Sequence, residues 1–269
     1  MTPVKPRIFL AGLVAVELLP AQWFHYPTAG VPRKPDGSPN LSAPAPHSAD
    51  GKLDLSGIWA PVRRRPLNES LEGQVNATGP FWDFGSVIPG GLPYQPWAAA
   101  LRNQRATDQS KDNPDVKCMP LGILQMNTHP FPRRIVQSPG YIAILHERDL
   151  EYRQIFTDGR PLPEDPQPSW NGYSSGKWVG DTLVVETIGF RDGLWADYDG
   201  SPITTAAKIT ERFRRVNFGS LELEMTVDDP KAYTKPWTAK IDLAFQLDSD
   251  LLEYVCLEGE RDSAHMVGK

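Results

Sequence analysis

Apolar and polar positions alternate most clearly in the second half of the chain. Leu221, Leu223, Met225 and Val227 are separated by polar residues such as Glu222 and Glu224. Ala239, Ile241, Leu243, Phe245 and Leu247 are interleaved with Lys240, Asp242 and Gln246. A period of two marks strands with one face on a core and one in water. Between residues 134 and 258 the pattern predicts strands at 134–137, 141–147, 150–157, 181–188, 208–215, 221–227 and 238–247, with an eighth at 251–257. Turn signals separate them: Ser138-Pro139-Gly140, Thr157-Asp158-Gly159, Val179-Gly180-Asp181 and Asn217-Phe218-Gly219. Asp158-Gly159-Arg160 reads as a hairpin turn in which the glycine takes positive φ, and Asp228-Asp229-Pro230 reads as the end of a strand. A further strand opens on Trp59 in DLSGIWAPV. Roughly nine short antiparallel strands imply an all-β fold, an antiparallel barrel or a strongly bent sandwich, since either manages exposed edges.

Before residue 134 the pattern differs. Residues 67–75 and 96–107 are the two helix candidates, the second with proline in its first turn and an Ala- and Arg-rich body. Between them FWDFGSVIPGGLPY is an aromatic, glycine-rich loop whose Phe81, Trp82, Phe84 and Tyr94 are expected to cover the core. Residues 23–52 read as a Pro-rich linker carrying a duplicated Asp-Gly turn (Asp36-Gly37, Asp50-Gly51). Residues 1–22 have the basic start and apolar run of a signal peptide, interrupted by Glu17. The division expected is therefore 1–22 signal, 23–52 linker and 53–269 a single β-rich domain.

Composition narrows the partners. A formal charge of −5 and a pI near 5.6 disfavour nucleic acid, which wants a basic face. The apolar run at 8–19 is too short for a stable membrane span. Cys118 and Cys256 either form one bridge in an oxidising compartment or remain two buried thiols. Closing so long a loop would stabilise the fold by about 4–5 kcal/mol in the chain-entropy account.

Several motifs bear a resemblance. LSGIW, with Gly57 and Trp59, resembles the opening of lipocalin-type (calycin) barrels. DLSGIW, HPFPRRIVQSPGYIAIL, FTDGRPLPEDPQPSWNGYSSGKWVGDTLVVETIGF, VDDPKAYTKPWT and the final HMVGK are similar to those of an uncharacterised family of exported bacterial proteins, over about residues 26–269. That second resemblance implies export and a single domain and carries no mechanism. The chain departs from it at Val179, where the family pattern expects an acidic residue.

Established catalytic signatures are absent, and five histidines scattered along the chain do not build a metal centre; no cofactor is expected. The candidate acid–base residues are His129, on a Pro-flanked turn, the strand carboxylates Glu186 and Glu211, and Tyr173. Glu186 shares the parity of Thr182, Val184 and Ile188, Glu211 that of Ile209 and Phe213, and Glu253 that of Leu251, Val255 and Leu257. Two such carboxyls in one cavity would drive each other's pKa apart; the alternative is pairing with Arg153, Arg212 or Arg214. His146 alternates with Ile142 and Ile144 and is expected to point inward. Trp170, Asn171, Trp178, Arg153, Asp192 and Trp195 are the candidate ligand contacts, an aromatic and polar set suited to a flat molecule or a sugar. The reading is an exported barrel that holds a small molecule in its cavity or under its aromatic loops. The alternatives are an enzyme in that cavity and a carbohydrate-binding or interaction module with an aromatic platform.

Overall fold

The computed structural model describes residues 26–62 and 83–259; the signal segment and the helix expected at 67–75 lie outside them. Nine strands close into a barrel. In spatial order they are β1 (Gly57–Pro61), β11 (Trp237–Phe245), β10 (Ser220–Asp228), β9 (Lys208–Asn217), β6 (Thr182–Ile188), β5 (Tyr173–Val179), β4 (Tyr152–Phe156), β3 (Tyr141–His146) and β2 (Arg133–Ser138). A two-stranded ribbon, β7 (Leu194–Trp195) and β8 (Pro202–Ile203), fills the β6–β9 connection. Among the described residues three α-helices accompany them: α1 (Pro96–Thr107), α2 (Gly122–Thr128) and the single turn α3 (Cys256–Gly259).

Alternation decides which side chains fill the barrel. Along β10 Leu221, Leu223, Met225 and Val227 are all buried, and they meet Leu243, Ile241, Ala239 and Trp237 of β11 in register. Trp59 is fully buried, its indole N–H donating to the Leu55 carbonyl (2.9 Å). Phe84 packs against Trp237 (5.1 Å between ring centroids) and Tyr94 against Tyr233 (5.6 Å), so the described part of the aromatic loop covers the core as expected. Residues 26–52 lack long elements but are not detached. Both Asp-Gly turns form, closed by the bridges Arg33–Pro39 and His47–Leu53, and the Ala43 carbonyl accepts from Phe218 N–H (2.8 Å).

Three expectations need correction. Residues 173–179 form a strand that alternation does not reveal. Residues 251–257 do not: Tyr254 makes only an isolated parallel bridge to Arg148 before α3 begins. Asp158-Gly159-Arg160 is not a hairpin turn, because β4 and β5 run parallel. Gly159 does take positive φ (88°), and the chain then returns through residues 157–172 to lay β5 alongside β4. That parallel join is the weakest seam in the barrel, with only Ile155–Ser174 and Phe156–Ser175 in register. Every other neighbouring pair in the barrel is antiparallel.

Cys118 and Cys256 are joined across 138 residues. The bridge ties the α3 end to the segment before α2, and both flank the β3–β4 turn. Reduction, or the double change Cys118→Ala/Cys256→Ala, is expected to lower stability by about 2–4 kcal/mol. Urea unfolding with and without reductant checks this; coincident curves would show that the bridge adds nothing.

Candidate functional site

The barrel interior, otherwise mostly apolar, holds a cluster of buried charges. Glu211 of β9 is fully buried and faces Arg153 of β4 across the lumen. The guanidinium grips both carboxylate oxygens, Nη1 to Oε1 at 2.9 Å and Nη2 to Oε2, and also donates to Ser174 Oγ (3.2 Å from Nε) and Thr187 Oγ1 (3.0 Å). Asn127 of α2 donates to Glu211 Oε1 (3.3 Å) and receives Arg133, which is 1% exposed, on both its side-chain and main-chain oxygens. Burial brings the Arg133 pKa down to about 10. His146 points inward as expected. Burial, followed by the charges of Arg133 and Arg153, drives its pKa well below the usual histidine range, so it stays neutral. These residues occupy the interior.

The predicted site residues separate accordingly. Glu211 is neutralised by Arg153, the pairing alternative. Glu186 lies on the opposite face of its strand, 40% exposed, and pairs with Lys208 (2.6 Å); the two carboxyls share no cavity. The inward positions of β6 are Leu183, Val185 and Thr187. Glu253 is exposed. His129 is buried at the end of α2, with Nε2 3.3 Å from Asp115 and its ring stacked on Phe131. Trp195 is buried beneath the Arg105 guanidinium (4.3 Å) and Trp178 packs half-buried on the core. Asp192 is exposed in the turn after β6. Trp170, Asn171, Tyr173 and Arg153 are the four that come together.

They do so in a cleft of about 600 Å³ in the barrel wall, where β4 and β5 splay apart at their weak seam. One wall is Leu150, Glu151, Tyr152 and Gln154; the other is the 169–173 segment; Arg153 and Ser174 form part of the floor. Gly122 and Gly172 allow that segment to close in. Gly122 takes φ +72, and a Cβ there would sit 2.9 Å from the Trp170 carbonyl; one at Gly172 (φ +61) would sit 2.6 Å from the Ile188 carbonyl.

Glu151 is the residue that the sequence reading missed. Its side chain is 10% exposed, and burial raises its pKa to about 7 against the pull of Arg148, the Leu121 N–H and Asn171. Leu121 N–H reaches Oε1 at 3.4 Å. Oε2 is itself enclosed, and the nearby Asn171 amide also reaches the Tyr152 carbonyl (3.5 Å). Glu151 follows a strained turn in which Asp149 and Leu150 both have φ +54. Such residues cost of order 1–3 kcal/mol each and persist only where their surroundings dictate them. Here Asp149 N–H donates to Tyr254 (2.8 Å), Asp149 Oδ1 accepts from Cys256 N–H (2.7 Å), and Glu147 Oε2 accepts from Leu252 N–H (2.9 Å). The disulfide-linked segment therefore clamps the turn. The available signal was the crowding of ionisable residues in HERDLEY, between two apolar strands.

The chain matches no protein-family model, no curated protein and no solved structure. Fold and site define its class: a closed, disulfide-clamped β-barrel with a lateral cleft. Among the described residues no helix is long and apolar enough to cross a membrane.

Glu211→Gln leaves Arg153 and Arg133 buried without their anion and is expected to cost about 3–5 kcal/mol in urea unfolding. The double change Arg153→Met/Glu211→Leu should cost much less than the sum of its single changes, and additive losses would contradict the pairing. Because the folded-state pKa of Glu151 is raised from 4.5 to about 7, its contribution to stability is fully present below pH 4.5 and is lost as pH rises through 7, about 3 kcal/mol in all. Buried Asp197, raised to about 6, contributes with the same sign at lower pH. Glu151→Gln should therefore flatten the stability profile between about pH 5 and 7; an unchanged slope there would contradict the burial of this carboxyl.

Proposed function

We propose that this protein is an exported binding protein that holds a small molecule in the β4–β5 cleft, outside a filled barrel. The observation that carries the reading is the placement of Glu151. A carboxyl that is nine-tenths buried lines a 600 Å³ recess beside Tyr152 and Trp170. Ligand sites combine apolar and aromatic walls with a few placed polar groups, and perturbed ionisable groups cluster in them. The strained Asp149-Leu150 turn adds support, since strain is retained where a fixed geometry is useful.

The lipocalin likeness applies to the closed barrel in outline, whereas the ligand position proposed is lateral. Export fits the Cys118–Cys256 bridge, which persists in oxidising compartments, and the resemblance to exported bacterial proteins. The aromatic-platform alternative narrows to Trp170 and Tyr173, because Trp195 is buried and Trp178 rests on the core.

Native mass spectrometry of protein isolated from its own host is expected to show a non-covalent adduct. The adduct should be lost in Tyr152→Ala/Trp170→Ala and kept in Trp97→Ala, where the exposed indole lies on α1. Persistence of the adduct in the double variant would place the ligand elsewhere, and absence of any adduct from all three proteins would count against the function.

A further inference from the structure

We propose that the β4–β5 cleft recognises an organic cation, an ammonium group held against Glu151 and the neighbouring aromatic rings. The inference rests on the cleft being the ligand site and specifies the chemistry it accepts.

Charge is the first argument. Asp149 and Glu151 both line the cleft, and the one cation nearest them is already committed. Arg148, 1% exposed, binds Asp149 (2.6 Å) and Asp115 (2.5 Å) and lies 3.9 Å from Glu151. Burial opposes ionisation of Asp115, but His129 and Arg148 outweigh it and hold its pKa below the ordinary range. One guanidinium thus serves three carboxyls, and even a charged His129 beside Asp115 leaves the cluster negative. Arg153 at the floor is neutralised by Glu211. An anionic ligand would meet repulsion from Asp149 and Glu151, and the two arginines nearest them, Arg148 and Arg153, already pair with carboxylates.

The second argument concerns what Glu151 lacks. It is nine-tenths buried, and the desolvation that raises its pKa outweighs what Arg148, the Leu121 N–H and Asn171 return to it. A ligand that brings positive charge offsets that desolvation and lowers the pKa again. A neutral ligand supplies only hydrogen bonds.

Aromatic walls provide the third. Tyr152 is 64% exposed, and Tyr173 and Trp170 face it across the opening. Aromatic faces attract desolvated cations, by about 2 kcal/mol or more in favourable cases. Rings of this cleft already do so within the protein, Arg191 lying over Trp170 (4.4 Å) and Arg160 over Phe156 (4.0 Å). Among the described residues no three carboxylate, histidine or cysteine side chains converge as a metal site, so the cation that fits is organic.

Three probes of nearly equal shape separate the possibilities: choline, its neutral isostere 3,3-dimethylbutan-1-ol and the anion 3,3-dimethylbutanoate. Binding is followed by NMR shifts of the Tyr152 and Trp170 signals and by calorimetry. Choline is expected to bind at least about tenfold more tightly than the alcohol at pH 8, and the anion not at all. Choline does not titrate, so its affinity should fall by a similar factor at pH 5.5, where Glu151 is protonated. Glu151→Gln should remove the preference without loss of thermal stability, and Tyr152→Leu should weaken choline more than the alcohol. Equal or tighter binding of the alcohol or the anion at these signals would overturn the cation inference while keeping the cleft. If none of the three probes shifts them, both readings fall.

Discussion

The structure depends on the buried pair between Arg153 and Glu211. The two residues stand on β4 and β9, which are not neighbours, and the guanidinium also binds Ser174 of β5 and Thr187 of β6. One side chain therefore reaches across the seam where the barrel is joined by only two residue pairs. Hydrogen bonding along strands cannot hold that seam as it holds β9 to β10. A bidentate, charge-assisted contact in a low-dielectric lumen can, provided that both charges stay paired. Asn127 extends the network to α2, so the helix at the barrel end is keyed to the same carboxylate.

The weak seam is also what makes a cleft available. Strands paired along their full length leave no recess between them. β4 and β5 meet only at residues 155–156 and 174–175, and the approach to that meeting point is open. Cross-lumen pairing keeps the barrel closed while its wall remains locally unpaired. Stability and the candidate site thus come from one arrangement, with Arg153 contributing to both the floor of the cleft and the interior.

Much of this was legible in the chain. The helix at 96–107 appears with the bounds that its proline start predicts, and the alternating runs at 221–227 and 238–247 are strands. β5 was hidden for a physical reason. Its inward positions include Ser174, which serves Arg153, and Gly176, where a Cβ would approach Ile155 and Leu183 to 3.1 and 3.2 Å. With a hydroxyl and a hydrogen atom at two inward positions, only Trp178 is left to mark the inner face, and one residue makes no alternation. The run at 251–257 erred in the opposite direction. LLEYVCL has strand composition, yet a covalent bond at Cys256 and contacts to Glu147 and Asp149 fix its path. Parity also could not orient Glu186, because Val184 and Val185 are both buried and only the register with β9 shows which face is inside.

Glu151 illustrates why sites are harder to read than folds. Its environment is assembled from segments distant in sequence: Leu121 before α2, Asn171 before β5 and, through Asp149, the disulfide-linked segment at 254–256. None of those contacts has a periodicity. What fixes its chemistry is a balance, burial against one shared guanidinium, and the balance depends on Arg148 being occupied by Asp115 and Asp149 before it reaches Glu151. Were Arg148 free to pair with Glu151, the carboxyl would be an ordinary structural anion. Because it is not, the clamp that strains the Asp149-Leu150 turn also leaves Glu151 short of positive charge, and backbone geometry is thereby converted into an electrostatic preference in the cleft.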